Sequence, residues 1–131
     1  NKITDIKSLA GLSHLTKLYL PLNQITNIEP IAGLSNLKEL GLGGNKITDI
    51  RPLKGLSSLT WLDLSQNQIT DIQVLKGLSN LTWLNLSKNQ IKNIQLIANL
   101  SNLTSGKFED HPITNCQLLP EIFREDCSVN K

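Results

Sequence analysis

Residues 59–80 read LTWLDLSQNQITDIQVLKGLSN, and two periods are joined in that stretch. Leu62-Asp63-Leu64 alternates apolar with polar, as a strand with one buried face does. Ile69, Ile72, Leu75 and Leu78 then recur every third residue, the spacing of turn-like or 3₁₀ segments that return one apolar side chain inward per turn. Moving outward by 22 residues, the same pattern reappears as LTKLYLPLNQITNIEPIAGLSN from Leu15, LKELGLGGNKITDIRPLKGLSS from Leu37 and LTWLNLSKNQIKNIQLIANLSN from Leu81. Self-similarity at a fixed period without insertions means a stack of identical coils, each burying its apolar side against the next.

Every copy has the form L-x-x-L-x-L-x-x-N-x-I-x-x-I. This predicts five strands, near residues 15–20, 37–42, 59–64, 81–86 and 103–108. Pro30 and Pro52 fall in the half of the coil where a missing amide donor is tolerated. A half repeat, 1–14, precedes the four full copies of 15–102. A degenerate one starts at Leu103 and runs to about 113, and residues 114–131 leave the pattern. In that tail Leu118, Leu119, Ile122 and Phe123 are spaced for a short amphipathic turn or helix, which predicts a cap over the last coil. At the other end Ile3, Ile6, Leu9 and Leu12 have no coil in front of them. A shortened chain, a natural start and self-association through this end are the three readings. The chain starts at Asn1 and contains no methionine, so its natural start is expected upstream or removed.

Asn23, Asn45, Asn67 and Asn89 recur where each coil leaves its strand. An amide that both donates and accepts can satisfy backbone groups buried between coils, so the array is assigned to the fold. Ser13, Ser35, Ser57, Ser79 and Ser101 form a second repeating column with the same structural reading. Asn-x-Ser/Thr occurs at Asn80, Asn85, Asn99 and Asn102 as a by-product of the repeat.

Composition narrows the function classes. One domain fits in 131 residues, and 13 Lys plus Arg against 11 Asp plus Glu leave a net charge of +2 scattered along the chain. That is no nucleic-acid footprint. Apolar runs of two or three residues are far below the roughly 20 that a spanning helix needs, so no membrane insertion is expected. No catalytic constellation is visible: the serines repeat with the coil, and His14 and His111 lie about five coils apart. Gly41-Leu42-Gly43-Gly44 lacks the Lys-Ser/Thr of a phosphate loop. The expectation is a protein that is not an enzyme and holds no cofactor or metal.

The repeat resembles the leucine-rich-repeat family, in particular the 22-residue class of bacterial internalin-like proteins, over residues 1 to about 113. The resemblance implies an α/β, right-handed solenoid with parallel strands on a concave face and 3₁₀ or irregular segments opposite. Within these 131 residues there is neither the helical N-terminal cap nor the immunoglobulin-like segment of internalins. The family is a scaffold whose members bind unrelated partners, so the resemblance implies binding without naming a ligand. The Cys-x10-Cys of the tail also resembles the ends of some bacterial, notably cyanobacterial, repeat proteins. A Cys116–Cys127 disulfide is expected, against the alternative of a buried thiol at Cys116, which replaces the inward Ile28, Ile50, Ile72 and Ile94 of earlier copies. A disulfide would imply a secreted, periplasmic or cell-surface location.

Which face binds is read from the strands. If the leucines of L-x-x-L-x-L enter the core, two columns point outward: Lys17, Glu39, Trp61, Trp83, Ser105, and Tyr19, Gly41, Asp63, Asn85, Lys107. Every Trp and Tyr of the chain stands in these columns. Trp61 and Trp83 should therefore form one patch, bordered by Tyr19, Glu39, Asp63, Asn85 and Lys107. The alternative is that aromatic residues are there as good strand formers. The leading function is a non-catalytic module binding a protein partner on the concave face. The second ligand class is carbohydrate on a Trp61/Trp83 platform, and the third reading is a structural spacer.

Overall fold

The computed structural model describes residues 1–92 and 94–109. Five parallel strands, β1 (Lys17–Tyr19), β2 (Glu39–Gly41), β3 (Trp61–Asp63), β4 (Trp83–Asn85) and β5 (Ser105–Lys107), form one sheet in chain order. Partners are one repeat apart throughout, Lys17 with Glu39, Glu39 with Trp61, Trp61 with Trp83 and Trp83 with Ser105. Opposite the sheet run five 3₁₀ segments, η1 (Lys7–Leu9), η2 (Glu29–Ile31), η3 (Arg51–Gly55), η4 (Gln73–Gly77) and η5 (Gln95–Asn99). This is the expected right-handed solenoid. The strands are shorter than the alternating pattern suggested, because the chain must turn inward directly after the second leucine.

Each coil sends its repeat leucines and isoleucines into one continuous core. Leu59, Leu62, Leu64, Ile69, Leu75 and Leu78 are fully buried and Ile72 nearly so. The left-handed turn that closes each strand falls at the same place in four coils, at Leu22, Gly44, Gln66 and Lys88, with φ between 54° and 73°. Glycine adopts this conformation freely, whereas the three L side chains are tolerated because the asparagine after each of them fixes the turn.

Those asparagines join successive coils. Asn67 Oδ1 accepts from the Ile47 amide at 3.0 Å, and its Nδ2 donates to the carbonyls of Leu42 at 3.0 Å, Leu64 at 3.1 Å and Ser65 at 3.1 Å. Asn45 and Asn89 repeat the pattern one coil away. Asn23, in the first of them, accepts from Ile3 and donates only within its own coil, to Leu20 and Pro21.

A further amide ladder runs along the loops, unrecognised in the sequence. Asn36, Asn80 and Asn102 donate to the carbonyls of Ser13, Ser57 and Ser79 at 2.7, 2.8 and 2.9 Å. The serine column thus acts through its backbone, and Asn80 and Asn102 are accounted for as coil-to-coil donors. The ladder is broken at Ser58, which is too short to reach the Ser35 carbonyl. Ser58→Asn is expected to restore the bond and stabilise the protein by about 1 kcal/mol, the net value of an ordinary hydrogen bond. A urea midpoint that stays the same or falls would show that the gap has another cause.

The first coil is less covered than those that follow. Ile6 is buried, but Leu12 is 47% and Leu22 64% exposed, and Leu9, Leu15, Leu18 and Leu20 are only partly covered. The expected cap of 114–131 and both cysteines lie outside the described residues. So does His111, while His14 is exposed on a loop.

Candidate functional site

Residues on either side of the middle leucine in each strand project from the sheet face, because Leu40, Leu62 and Leu84 point into the core. On this surface Trp61 and Trp83 are register partners. Their rings stack with centroids 4.7 Å apart and planes inclined by 6°. Adjacent strands are themselves about 4.8 Å apart, so the stacking axis runs across the strands and the two indoles stand on edge from the sheet. Each ring shields the other, and both are half-buried. Register partners at strand spacing thus meet face to face, and the two rings are adjacent.

Tyr19 meets Trp61 edge-on, with centroids 5.8 Å apart at 76°. Gly41 makes this contact fit. A Cβ at Gly41 would lie 3.0 Å from Tyr19 Cδ1 and 3.4 Å from Trp61 Cζ3, so the rings meet over a residue with no side chain. The Tyr19 hydroxyl donates to Glu39 Oε1, and Lys17 Nζ lies 3.3 Å from Glu39 Oε2. The hydrogen bond from Tyr19 holds the Glu39 carboxyl below its ordinary value, with the Lys17 ammonium reinforcing it. The same bond raises Tyr19 above the usual phenol range. Lys17 was in the outward column but not among the expected site residues, and its role follows only from the geometry.

In the second column Asp63 and Asn85 behave alike. Asp63 Oδ1 accepts from the Ser65 amide at 3.0 Å and the Ser65 hydroxyl at 2.7 Å, and Asn85 Oδ1 accepts from the same two groups of Ser87 at the same distances. These oxygens fold back onto the strand exit. The signal was present as D-x-S and N-x-S in successive coils. The Asn85 amide nitrogen and the Lys107 ammonium make no hydrogen bond or ion pair among the described residues. Lys107 and Ser105, on β5, are exposed.

The opposite side of the molecule offers a groove of about 920 Å³ between η3 and η4, lined by Ile50, Val74, Lys54 and Lys76. Two of its charged groups are paired: the Arg51 guanidinium grips Asp49 at 2.7–3.1 Å and holds that carboxyl down to about 2. Similar grooves lie between η1 and η2 and between η2 and η3, so a groove of this kind is what successive 3₁₀ segments leave between them. Among the described residues no group of three or more His, Cys, Asp or Glu is placed to hold a metal ion. No helix among them is long and apolar enough to cross a membrane.

Family models described as "Leucine rich repeat" match residues 13–69, 35–91 and 80–103. Among solved structures, an internalin from Listeria monocytogenes superposes with a TM-score of 0.90 at 37% identity, over 98% of this chain and 38% of that one. An internalin C2 from the same organism gives a TM-score of 0.83 at 38% identity, over 92% of this chain and 53% of that one. A plant peptide hormone receptor, solved in complex with RGF2, gives 0.73 at 27% identity, over 86% of this chain and 19% of that one. The chain thus spans about 38% and 53% of the two internalin structures. No protein of curated function matches it in sequence.

Proposed function

The chain belongs to the leucine-rich-repeat family, in its internalin-like class, and from that premise we propose that it is a non-catalytic module binding a protein partner on the sheet face, around Trp61 and Trp83. The observation that carries this reading is the aromatic row itself. Three large rings from three coils, Tyr19, Trp61 and Trp83, are held in fixed contact on the outward face, seated over a glycine and locked by Glu39. The core needs none of them, since leucine, isoleucine and, in the last described strand, Phe108 fill it. Tyr and Trp held rigid before binding lose little freedom on contact, which is why such rings dominate interface energetics. The plant receptor in complex with RGF2 is a neighbour of the same fold with a bound ligand.

Trp61→Ala and Trp83→Ala are each expected to weaken a confirmed partner by at least about tenfold while moving the unfolding midpoint little. The measurement is surface-plasmon titration of a partner first identified by pull-down, with circular dichroism as the control for folding. Unchanged affinity in both variants would remove the site from this face. Binding competed by free sugar on a glycan array would assign it to carbohydrate instead. A location outside the cytoplasm belongs to the same proposal and depends on the Cys116–Cys127 disulfide. Two titratable thiols in denatured protein prepared without reductant would count against it.

A further inference from the structure

The aromatic row is closed at one end and open at the other. On the β2 side the outer face of Trp61 meets the edge of Tyr19, whose hydroxyl is held by Glu39. On the β5 side Trp83 has Ser105 as its register partner, and Ser105 is exposed and too small to cover an indole. Because the rings stack across the strands, the face of Trp83 that meets no other ring among the described residues looks along the sheet toward β5. It forms the wall of a notch whose floor is Ser105.

Two residues further along the same strands, on the same face, stand Asn85 and Lys107. The oxygen of Asn85 is bound to Ser87, so its amide presents only N–H donors to this notch. Lys107 lacks an ion-pair partner among the described residues, whereas Lys17 at the closed end is paired with Glu39. The notch therefore combines one flat apolar wall with a rim of a cation and an amide donor. The Asp63 carboxylate lies on the far side of Asn85 from Lys107 and repels an anion from sliding toward β3.

Resting on the protein-partner reading above, we infer that this notch takes an extended segment of the partner carrying a flat side chain against Trp83 and an acidic side chain two residues later against Lys107 and Asn85. The spacing follows from strand geometry. Wall and rim are two residues apart, and in an extended peptide the side chains of residues i and i+2 share a face about 6.7 Å apart. Charge complementarity fixes the sign of the second residue.

The test uses two blocked pentapeptides, Thr-Tyr-Thr-Glu-Thr and Thr-Tyr-Thr-Lys-Thr, titrated into the ¹⁵N-labelled protein. The chain has two tryptophans, so two indole N–H resonances report on the site. The glutamate peptide is expected to shift the Trp83 resonance saturably and more than that of Trp61, and to bind on the order of tenfold tighter than the lysine peptide. Lys107→Glu should invert that preference. Ser105→Trp should continue the ring stack into the notch and abolish the shift, with the unfolding midpoint unchanged because residue 105 is at the surface. Equal affinity for the two peptides, binding that survives Ser105→Trp, or a saturable shift produced by methyl glucuronide but by neither peptide would each overturn the inference. If neither peptide moves Trp83 while Trp83→Ala still abolishes binding of the captured partner, the notch is wrong and the wider site stands. If Trp83→Ala leaves that partner bound, the wider reading falls first.

Discussion

Gly106→Leu is expected to destabilise the protein by about 2–3 kcal/mol even though it restores the repeat consensus, because the space is already occupied. In β1–β4 the middle residue is Leu18, Leu40, Leu62 and Leu84, and the next inward position holds Leu20, Leu42, Leu64 and Leu86. In β5 the pair becomes Gly106 and Phe108. A Cβ at Gly106 would lie 2.6 Å from Phe108 Cζ and 2.7 Å from the Leu84 carbonyl oxygen, neither of which a real side chain could tolerate without movement. Phe108, fully buried, has taken over the volume of both leucines. Phe108→Leu alone should also destabilise, by about 1–2 kcal/mol, through the cavity it leaves. The double variant should recover part of the summed loss, since residues sharing one volume couple, while the contact with the Leu84 carbonyl remains. Urea unfolding of the three variants decides it. Strictly additive effects would mean that the two positions do not share a cavity.

Asn67→Ala is expected to cost about 3–4 kcal/mol without altering the sheet-face residues. Truncation removes four hydrogen bonds and leaves the Ile47 amide buried without a partner, while the Leu42 and Leu64 carbonyls keep Asn45 and Asn89. Leaving such a group unsatisfied costs roughly 1–3 kcal/mol, partly relieved when water enters the gap. Asn23→Ala is the internal control. Asn23 makes no bond to an earlier strand exit and lies in the most exposed coil, so its loss should cost less than half as much. Equal destabilisation of the two variants in urea would refute the assignment of Asn67 as a bridge between coils.

The architecture was legible because its two periods are carried by residue type: Leu62 and Leu64 cannot both be buried unless the segment is extended, and Ile69, Ile72 and Leu75 cannot unless it turns every three residues. The outward columns followed from the same alternation, and they brought Tyr19, Trp61 and Trp83 to one surface. What sequence could not supply was how side chains use each other. Trp61 and Trp83 were readable as neighbours, but whether they lie flat or stand face to face depends on rotamers set by Gly41 and Tyr19. The folding back of Asp63 onto Ser65 and the Asn36, Asn80 and Asn102 ladder depend on distances between coils. The compensation of Gly106 by Phe108, inside the repeat read as degenerate from Leu103, is visible only once both occupy the same volume.

The asparagine bridges also give the stack a polarity. Each amide reaches backward, so a coil's Leu carbonyl and Ile amide are satisfied by the coil that follows it, as Leu42 and Ile47 are by Asn67. Peeling a coil from the front deprives the next asparagine of one acceptor and one donor, as Leu20 and Ile25 are to Asn45, and leaves it two acceptors in its own coil, the pair that Asn23 also has. Peeling from the rear leaves a buried Ile amide, such as that of Ile47, without its acceptor, while the Leu42 carbonyl keeps the Asn45 amide of its own coil. Both directions break the same bridge, so the less covered first coil is where the stack is expected to fray, and slow amide exchange should be graded along the chain, with Ile25 yielding before Ile69.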